Sequence, residues 1–156
     1  MSGLGELLLT RPGADTIELE RRIPGSARLF WRLWTDPDHV RRWWGPGDAH
    51  TTACQIDLRV GGAWRIEFTS ASYGDKVLEG TYTALDEPHR LSFTWAWEEN
   101  GVAGHRSLVT VSFEDAGADC ILRVHHSGLT SQQAESHPIG WRSGLEKFTE
   151  YALEQG

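Results

Sequence analysis

Apolar residues recur along this chain with two periods. Between residues 50 and 127 they alternate every second position, and near the C-terminus they recur every third or fourth. The second period is clearest from Ser136 to Glu154, where Trp141, Leu145, Phe148 and Ala152 are spaced four, three and four apart. That spacing places them on one face of an α-helix. Arg142, Glu146, Glu150 and Glu154 fall on the other side. Pro138 suits a first helical turn, where its missing N–H costs nothing. Gly140 and Gly144 are unusual helix residues, an interior glycine costing roughly 1 kcal/mol against alanine. They fit a helix whose backbone something must approach closely.

The earlier part of the chain predicts strands and two short helices. Thr16 to Ile23 alternates, with Ile17, Leu19 and Arg21 on one face, and reads as the first strand. Pro24-Gly25-Ser26 ends it, and Ser26 is a good N-cap. Ala27, Phe30, Trp31 and Trp34 then make a helical face over 27–34. Pro37 disfavours helix at Asp36 and ends that segment. A second short helix follows over 38–43. Strands are expected at 51–60, 63–69, 76–85, 91–97, 106–113 and 119–126. Trp64, Ile66 and Phe68 share one face, and so do Leu91, Phe93, Trp95 and Trp97. Thr130 and Gln133 have capping-box spacing for a short helix ahead of the long one. Residues 1–14 read as a flexible lead-in and 15–156 as a single domain. The predicted class is α+β: a curved antiparallel sheet of about seven strands wrapped around a long C-terminal helix, with two short helices between strands 1 and 2.

Composition adds one fact to this picture. Eight tryptophans in 156 residues is a high share, and each needs a core, a pocket or an interface. The net charge of −7 argues against a nucleic-acid partner, which requires a basic surface. No apolar run approaches the roughly 20 residues of a membrane span. The N-terminus has no basic segment ahead of Leu7-Leu8-Leu9, so no signal peptide is expected. Cys54 and Cys120 form no CxxC. A cytoplasmic protein with reduced thiols is the expectation.

The order of elements and several stretches resemble the START-like superfamily, also called SRPBCC or the Bet-v-type helix-grip fold. More narrowly, the chain is similar to the family named for the activator of heat-shock-protein-ninety ATPase, in its small bacterial single-domain form. The residues that carry the likeness begin with Thr35-Asp36-Pro37 and Arg42-Trp43-Trp44-Gly45-Pro46. They continue with Ile56-Asp57-Leu58-Arg59-Val60-Gly61-Gly62, Trp64, and Glu79-Gly80-Thr81-Tyr82. Leu91-Ser92-Phe93-Thr94-Trp95, His126-Ser127-Gly128-Leu129 and Gly140-Trp141 complete the set. Asp36-Pro37 and Trp44-Gly45-Pro46 also read as turns in their own right. Gly61-Gly62 reads as a tight hairpin. Asp57 and Arg59, two apart on one strand face, read as a structural ion pair.

The resemblance implies a ligand cavity between sheet and helix. Trp64, Phe68, Trp95 and Trp97 would face it from the sheet, and Trp141, Leu145 and Phe148 from the helix. Trp31, Trp34, Trp43 and Trp44 are placed to form a lid. Aromatic walls suit a small lipophilic or aromatic molecule, though the same rings could simply fill a core. Polar candidates are few: His126 shares parity with Leu122 and Val124, and Tyr82 could offer a hydroxyl. Some START-like relatives are polyketide cyclases or aromatases, which need a positioned acid or base; His126 and Tyr82 are the candidates here, without a second partner. No metal spacing, phosphate loop or nucleophile elbow occurs, so neither metal nor cofactor is expected. The first reading is therefore a non-catalytic ligand-binding protein, with a cyclase-like enzyme as the alternative. A further alternative, which the family name implies, is a chaperone-associated module of the stress response. The eukaryotic proteins in that role carry an additional N-terminal domain, whereas only about 14 residues precede the first strand here. Homodimerisation through exposed aromatics such as Trp43 or Trp97 is compatible with any of these.

Overall fold

In the computed structural model, which describes residues 3–45 and 47–156, one long helix lies against a large antiparallel sheet. The strands are β1 (Leu8–Gly13), β2 (Thr16–Pro24), β3 (His50–Ile56), β4 (Ala63–Ser70), β5 (Gly74–Asp86), β6 (Arg90–Glu99), β7 (Val102–Ala103), β8 (Ser107–Ala116) and β9 (Asp119–Ser127). The helices are α1 (Ala27–Thr35), α2 (Pro37–Trp43) and α3 (Ser131–Gln155). The sheet runs β1-β2-β9-β8-β6-β5-β4-β3, with the short β7 paired to β6. β2 sits near one edge and β3 forms the other. The two short helices carry the chain between them.

Local chemistry explains that crossing. Ser26 caps α1 by accepting from the Leu29 amide at 3.1 Å. Asp36 ends α1, its own amide donating to the Arg32 carbonyl at 3.0 Å. The same residue starts α2, its carboxylate accepting from the Asp38 amide at 2.9 Å. Pro37 follows at the first helical position, where it is pre-shaped for the turn. One Asp-Pro pair thus closes one helix and opens the next. The third turn element, Trp44-Gly45-Pro46-Gly47, includes Pro46, which lies outside the described residues.

The alternation predicted for the strands fixes the core. Ile17, Leu19 and Ile23 on β2, Val109, Val111 and Phe113 on β8, and Leu122, Val124 and His126 on β9 all point inward and are fully or almost fully buried. Phe148 of α3 meets them through Phe30, Trp34 and Trp43, with ring centroids 5.4, 5.7 and 5.0 Å away. Arg21 keeps the inward parity and spans the layers, its guanidinium donating to the Gly5 carbonyl on one side and to Thr149 Oγ1 of α3 on the other.

The structure corrects four expectations. Residues 8–13, assigned to the flexible lead-in, form β1 and pair with β2; with the two-residue β7 that pairs with β6, this brings the sheet from about seven strands to nine. Their apolar content is too short and uneven to show a period. The Thr130–Gln133 capping box opens α3 itself rather than a separate short helix, so Pro138 lies two turns inside it, where its ring removes one backbone bond. β3 stops at Ile56 instead of Val60. Asp57 to Gly62 instead form a loop that returns to β5, with Gly61 donating to the Tyr82 carbonyl and Tyr82 to that of Gly62. Asp57 and Arg59 still pair at 2.8 Å, exposed, from that loop. Finally, Trp43 is not an exposed ring available for dimerisation. It is 2% exposed and donates its indole N–H to the Leu33 carbonyl at 2.8 Å.

Candidate functional site

A cavity of about 490 Å³ opens between the N-terminal half of α3 and the ends of β4, β5 and β6. Its apolar wall consists of Phe68 from β4, Trp95 and Trp97 from β6, Trp141 from α3, and Trp43 and Trp44 from the end of α2. Successive residues on β6 alternate faces, so Trp95 and Trp97 lie side by side, with ring centroids 5.9 Å apart. Trp141 meets Trp95 at 5.3 Å and Trp44 meets it at 5.5 Å. The floor of the cavity is therefore a cluster of indoles centred on Trp95.

The sequence-predicted residues divide into three groups. Trp43, Trp44, Phe68, Trp95, Trp97 and Trp141 line this cavity. Trp34, Trp64 and Tyr82 line instead a separate void of only about 30 Å³ beside α2. Leu145, Phe148 and His126 line neither and pack in the core. Trp31 is buried at 4% and belongs to that core as well. Of the four tryptophans expected as a lid, Trp31 and Trp34 are thus structural, whereas Trp43 and Trp44 face the hollow.

His126 is fixed by its partners. Trp141 Nε1, which can only donate, lies 3.0 Å from His126 Nδ1. That nitrogen must carry the lone pair, so the proton sits on Nε2 and is donated to Ser107 Oγ at 2.7 Å. Ser107 in turn donates to the Trp95 carbonyl at 3.4 Å. Burial, helped by the neighbouring His137 and His125, pushes His126 down to about 3. A histidine whose only lone pair is occupied cannot take a proton from a substrate or from Ser107. Tyr82 is also held neutral, burial raising its phenol well above the ordinary range. The two catalytic candidates therefore lie outside the large cavity, and His126 is chemically committed.

The polar groups that do reach the cavity were missed in the sequence. His137 on α3 accepts from Trp97 Nε1 at 3.1 Å through its Nε2, which by the same argument leaves its proton on Nδ1. Burial lowers its pKa, partly offset by a hydrogen bond to the Gln133 backbone. His137 lies four residues before Trp141, hence on the same helical face, and that spacing was the available signal. Glu98 pairs with Arg65, and a hydrogen bond from Glu79 holds its carboxyl below the usual range while raising that of Glu79. Lys76, Glu99, His105, Gln133 and Ser136 complete the polar rim. His105 Nε2 lies 2.6 Å from the Gly128 carbonyl and so donates to it.

Two glycines shape the helical wall. A Cβ at Gly140 would meet nothing within 4 Å, because the cavity lies there. One at Gly144 would reach the Gly45 carbonyl oxygen at 3.4 Å, so the α2–β3 connection passes close to the helix backbone. Gly47 donates to Ser143 Oγ at 2.7 Å, and Lys147 reaches the carbonyls of Trp44 and Ala49 at 3.2 Å each. These bonds tie the loop beside Trp44 to α3. Among the described residues there is no group of three or more metal-ligating side chains, and no helix is long and apolar enough to cross a membrane.

The profile of the family described as activator of Hsp90 ATPase homolog 1-like protein matches residues 25–152. The chain belongs to that family. The crystal structure of an AHSA1 protein from Silicibacter pomeroyi is similar over 89% of this chain and 99% of its own, at 28% identity and a TM-score of 0.78. The solution structure of an AHSA1-like protein from Aeromonas hydrophila aligns over 90% and 94%, at 27% identity and a TM-score of 0.76. A protein from Arthrobacter aurescens shares the fold at a TM-score of 0.83 with 19% identity, over 94% of this chain and 91% of its own. No curated protein matches the sequence. The family's fold is in general a ligand-binding one, in keeping with the hollow beside α3.

Proposed function

We propose that this protein binds a small apolar or aromatic molecule in the cavity between the sheet and α3, without catalysing its conversion. The observation that carries this reading is the hollow itself. About 490 Å³ lies within the range of ligand pockets and is walled by five indoles and a phenyl ring above a polar rim. The packing of Phe30 and Trp34 on Phe148, at 5.4 and 5.7 Å, shows that this chain packs aromatic rings tightly where it needs a core. Gly140 faces the hollow in place of a side chain that could fill it, against its helix propensity.

The cyclase-like alternative is weakened by His126, whose lone pair is held by Trp141. A chaperone-associated role rests on the family name alone. A cytoplasmic location and the lack of a nucleic-acid partner, the latter read from the net charge of −7, belong to the same proposal.

The test is a tryptophan-fluorescence titration against lipophilic ligands, including aromatic polyketides, fatty acids and flavonoids. Saturable quenching that disappears in Trp141→Leu, with the circular-dichroism spectrum intact, is the expected result. A flat response across the whole panel would overturn the reading.

A further inference from the structure

The polar groups at the cavity mouth differ in what their surroundings leave them free to bind. Glu98 is committed to Arg65 and Glu79. His137 has given its lone pair to Trp97, and His105 spends its Nε2 proton on the Gly128 carbonyl. Gln133 turns its side-chain oxygen to the Thr130 amide at 3.2 Å in the capping box, which leaves over its NH2, a donor only. His137 Nδ1, which carries the proton, lies 3.3 Å from Ser136 Oγ, so the Ser136 hydroxyl proton is free to be donated. Lys76 is the cation of the mouth. It stands directly opposite Phe68 in the β4–β5 ladder and two residues before the buried Leu78, hence on the cavity side of the sheet. Its ammonium has no hydrogen-bond or ion-pair partner among the described residues. The opposing charge, Glu99, ends β6 at the turn into β7 and faces water.

We infer that Lys76 selects the ligand by its charge, and that the cavity takes an aromatic carboxylic acid with its rings among the indoles and its carboxylate on Lys76 at the mouth. This deepens the ligand-binding reading and rests on it. Contact with Trp44, Trp97 and Trp141 supplies affinity for any flat ring system, charged or neutral. The head group supplies discrimination. A carboxylate only accepts hydrogen bonds, and the uncommitted groups of Lys76, Gln133 and Ser136 all donate. At the mouth it keeps part of its water, and so avoids the cost of burying a charge on the apolar floor. The methylene stem of Lys76 lies beside Phe68, which leaves its ammonium at the level where the apolar wall ends. A ligand with a cationic head would meet that ammonium instead, and a neutral head would gain no charge-assisted bond.

Three probes that share one ring system separate these effects: 2-naphthoate, 2-naphthamide and 2-naphthylmethylammonium. Equilibrium dialysis of each against the full-length protein at neutral pH avoids optical interference from the tryptophans. Naphthoate is expected to bind about fivefold more tightly than naphthamide, the upper end for one exposed ion pair, and the ammonium probe more weakly than either. A protein of net charge −7 repels anions in general, so this order requires a local cation. Lys76→Met should abolish the advantage of naphthoate and leave naphthamide binding unchanged, whereas Lys76→Arg should preserve it. Raising the salt concentration should shrink it in the parent protein. Equal affinity for naphthoate and naphthamide, tighter binding of the ammonium probe, or an advantage that survives in Lys76→Met would overturn this inference while leaving a binding cavity in place. An equal loss of naphthamide and naphthoate binding in Lys76→Met would mark Lys76 as a packing residue and overturn it too. Failure of all three probes to bind would overturn the cavity reading and this inference with it.

Discussion

Trp141 donates its indole N–H to Nδ1 of His126, and that single bond sets both the tautomer and the charge of a completely buried histidine. An imidazolium at this position would place two N–H donors nose to nose. The neutral form is therefore favoured in the folded protein, and the folded pKa falls to about 3 from an ordinary value near 6.5.

Acid should destabilise the protein through this residue. Because the folded pKa is depressed, the unfolded chain binds a proton first. The contribution is complete above about pH 6.5 and is lost as pH falls toward 3. The slope is up to about 1.4 kcal/mol per pH unit. His137 shifts the same way. Urea unfolding at pH 7, 6, 5 and 4 should show this decline. His126→Gln, whose amide can accept from Trp141 and donate to Ser107 without titrating, should flatten it. An equal slope in the variant would contradict the assignment.

The cavity-facing pair obeys the same logic. Trp97 donates to His137 and so stabilises its neutral form. Trp97→Phe removes the donor and should raise the pKa of His137, read from its ring proton shifts in an NMR titration. An unchanged midpoint would mean that the bond does not control the histidine.

Close packing between β5 and β6 rests on Gly80. A Cβ there would stand 1.8 Å from the Thr94 carbonyl oxygen and 2.5 Å from Trp64 Nε1. Backbone on one side and a buried ring on the other leave no room to yield. Gly80→Ala should cost about 3 kcal/mol or more, at or beyond the upper end of overpacking effects, measured by chemical denaturation. A loss below about 1 kcal/mol would show that the strands separate more easily than the geometry indicates.

Gly140 is the opposite case. Its Cβ position is open, so Gly140→Ala should stabilise α3 by up to about 1 kcal/mol. Gly140→Phe should place a ring in the hollow, keep the fold and abolish ligand binding. Binding of an aromatic probe with unchanged affinity by the phenylalanine variant would move the site elsewhere.

The fold was legible because periodicity survives translation into burial. Trp64, Ile66 and Phe68 alternate in the sequence and are buried in the structure, and Trp141, Leu145, Phe148 and Ala152 do the same at helical spacing. β1 was not legible, because Leu8 and Leu9 are too few to show a rhythm and an edge strand is held by backbone pairing with β2. The site was half legible. Parity gave the direction of each ring but not its depth, so Phe148 and Trp97 looked alike although one fills the core and the other faces a hollow. The polar rim escaped because Glu98, Lys76 and His105 sit at strand ends and in loops, where no period marks the inward side.

The central claim is that the hollow beside α3 is where a ligand sits, and the eight tryptophans make it directly testable. The measurement is the indole ¹H–¹⁵N spectrum of the uniformly labelled protein, followed while a neutral aromatic probe such as fluorenone is added. The account predicts saturable shifts for Trp44, Trp95, Trp97 and Trp141, which line the cavity, and none for Trp31, which is packed in the core. Shifts of similar size at Trp31 and the cavity indoles, or none at any of them, would contradict it.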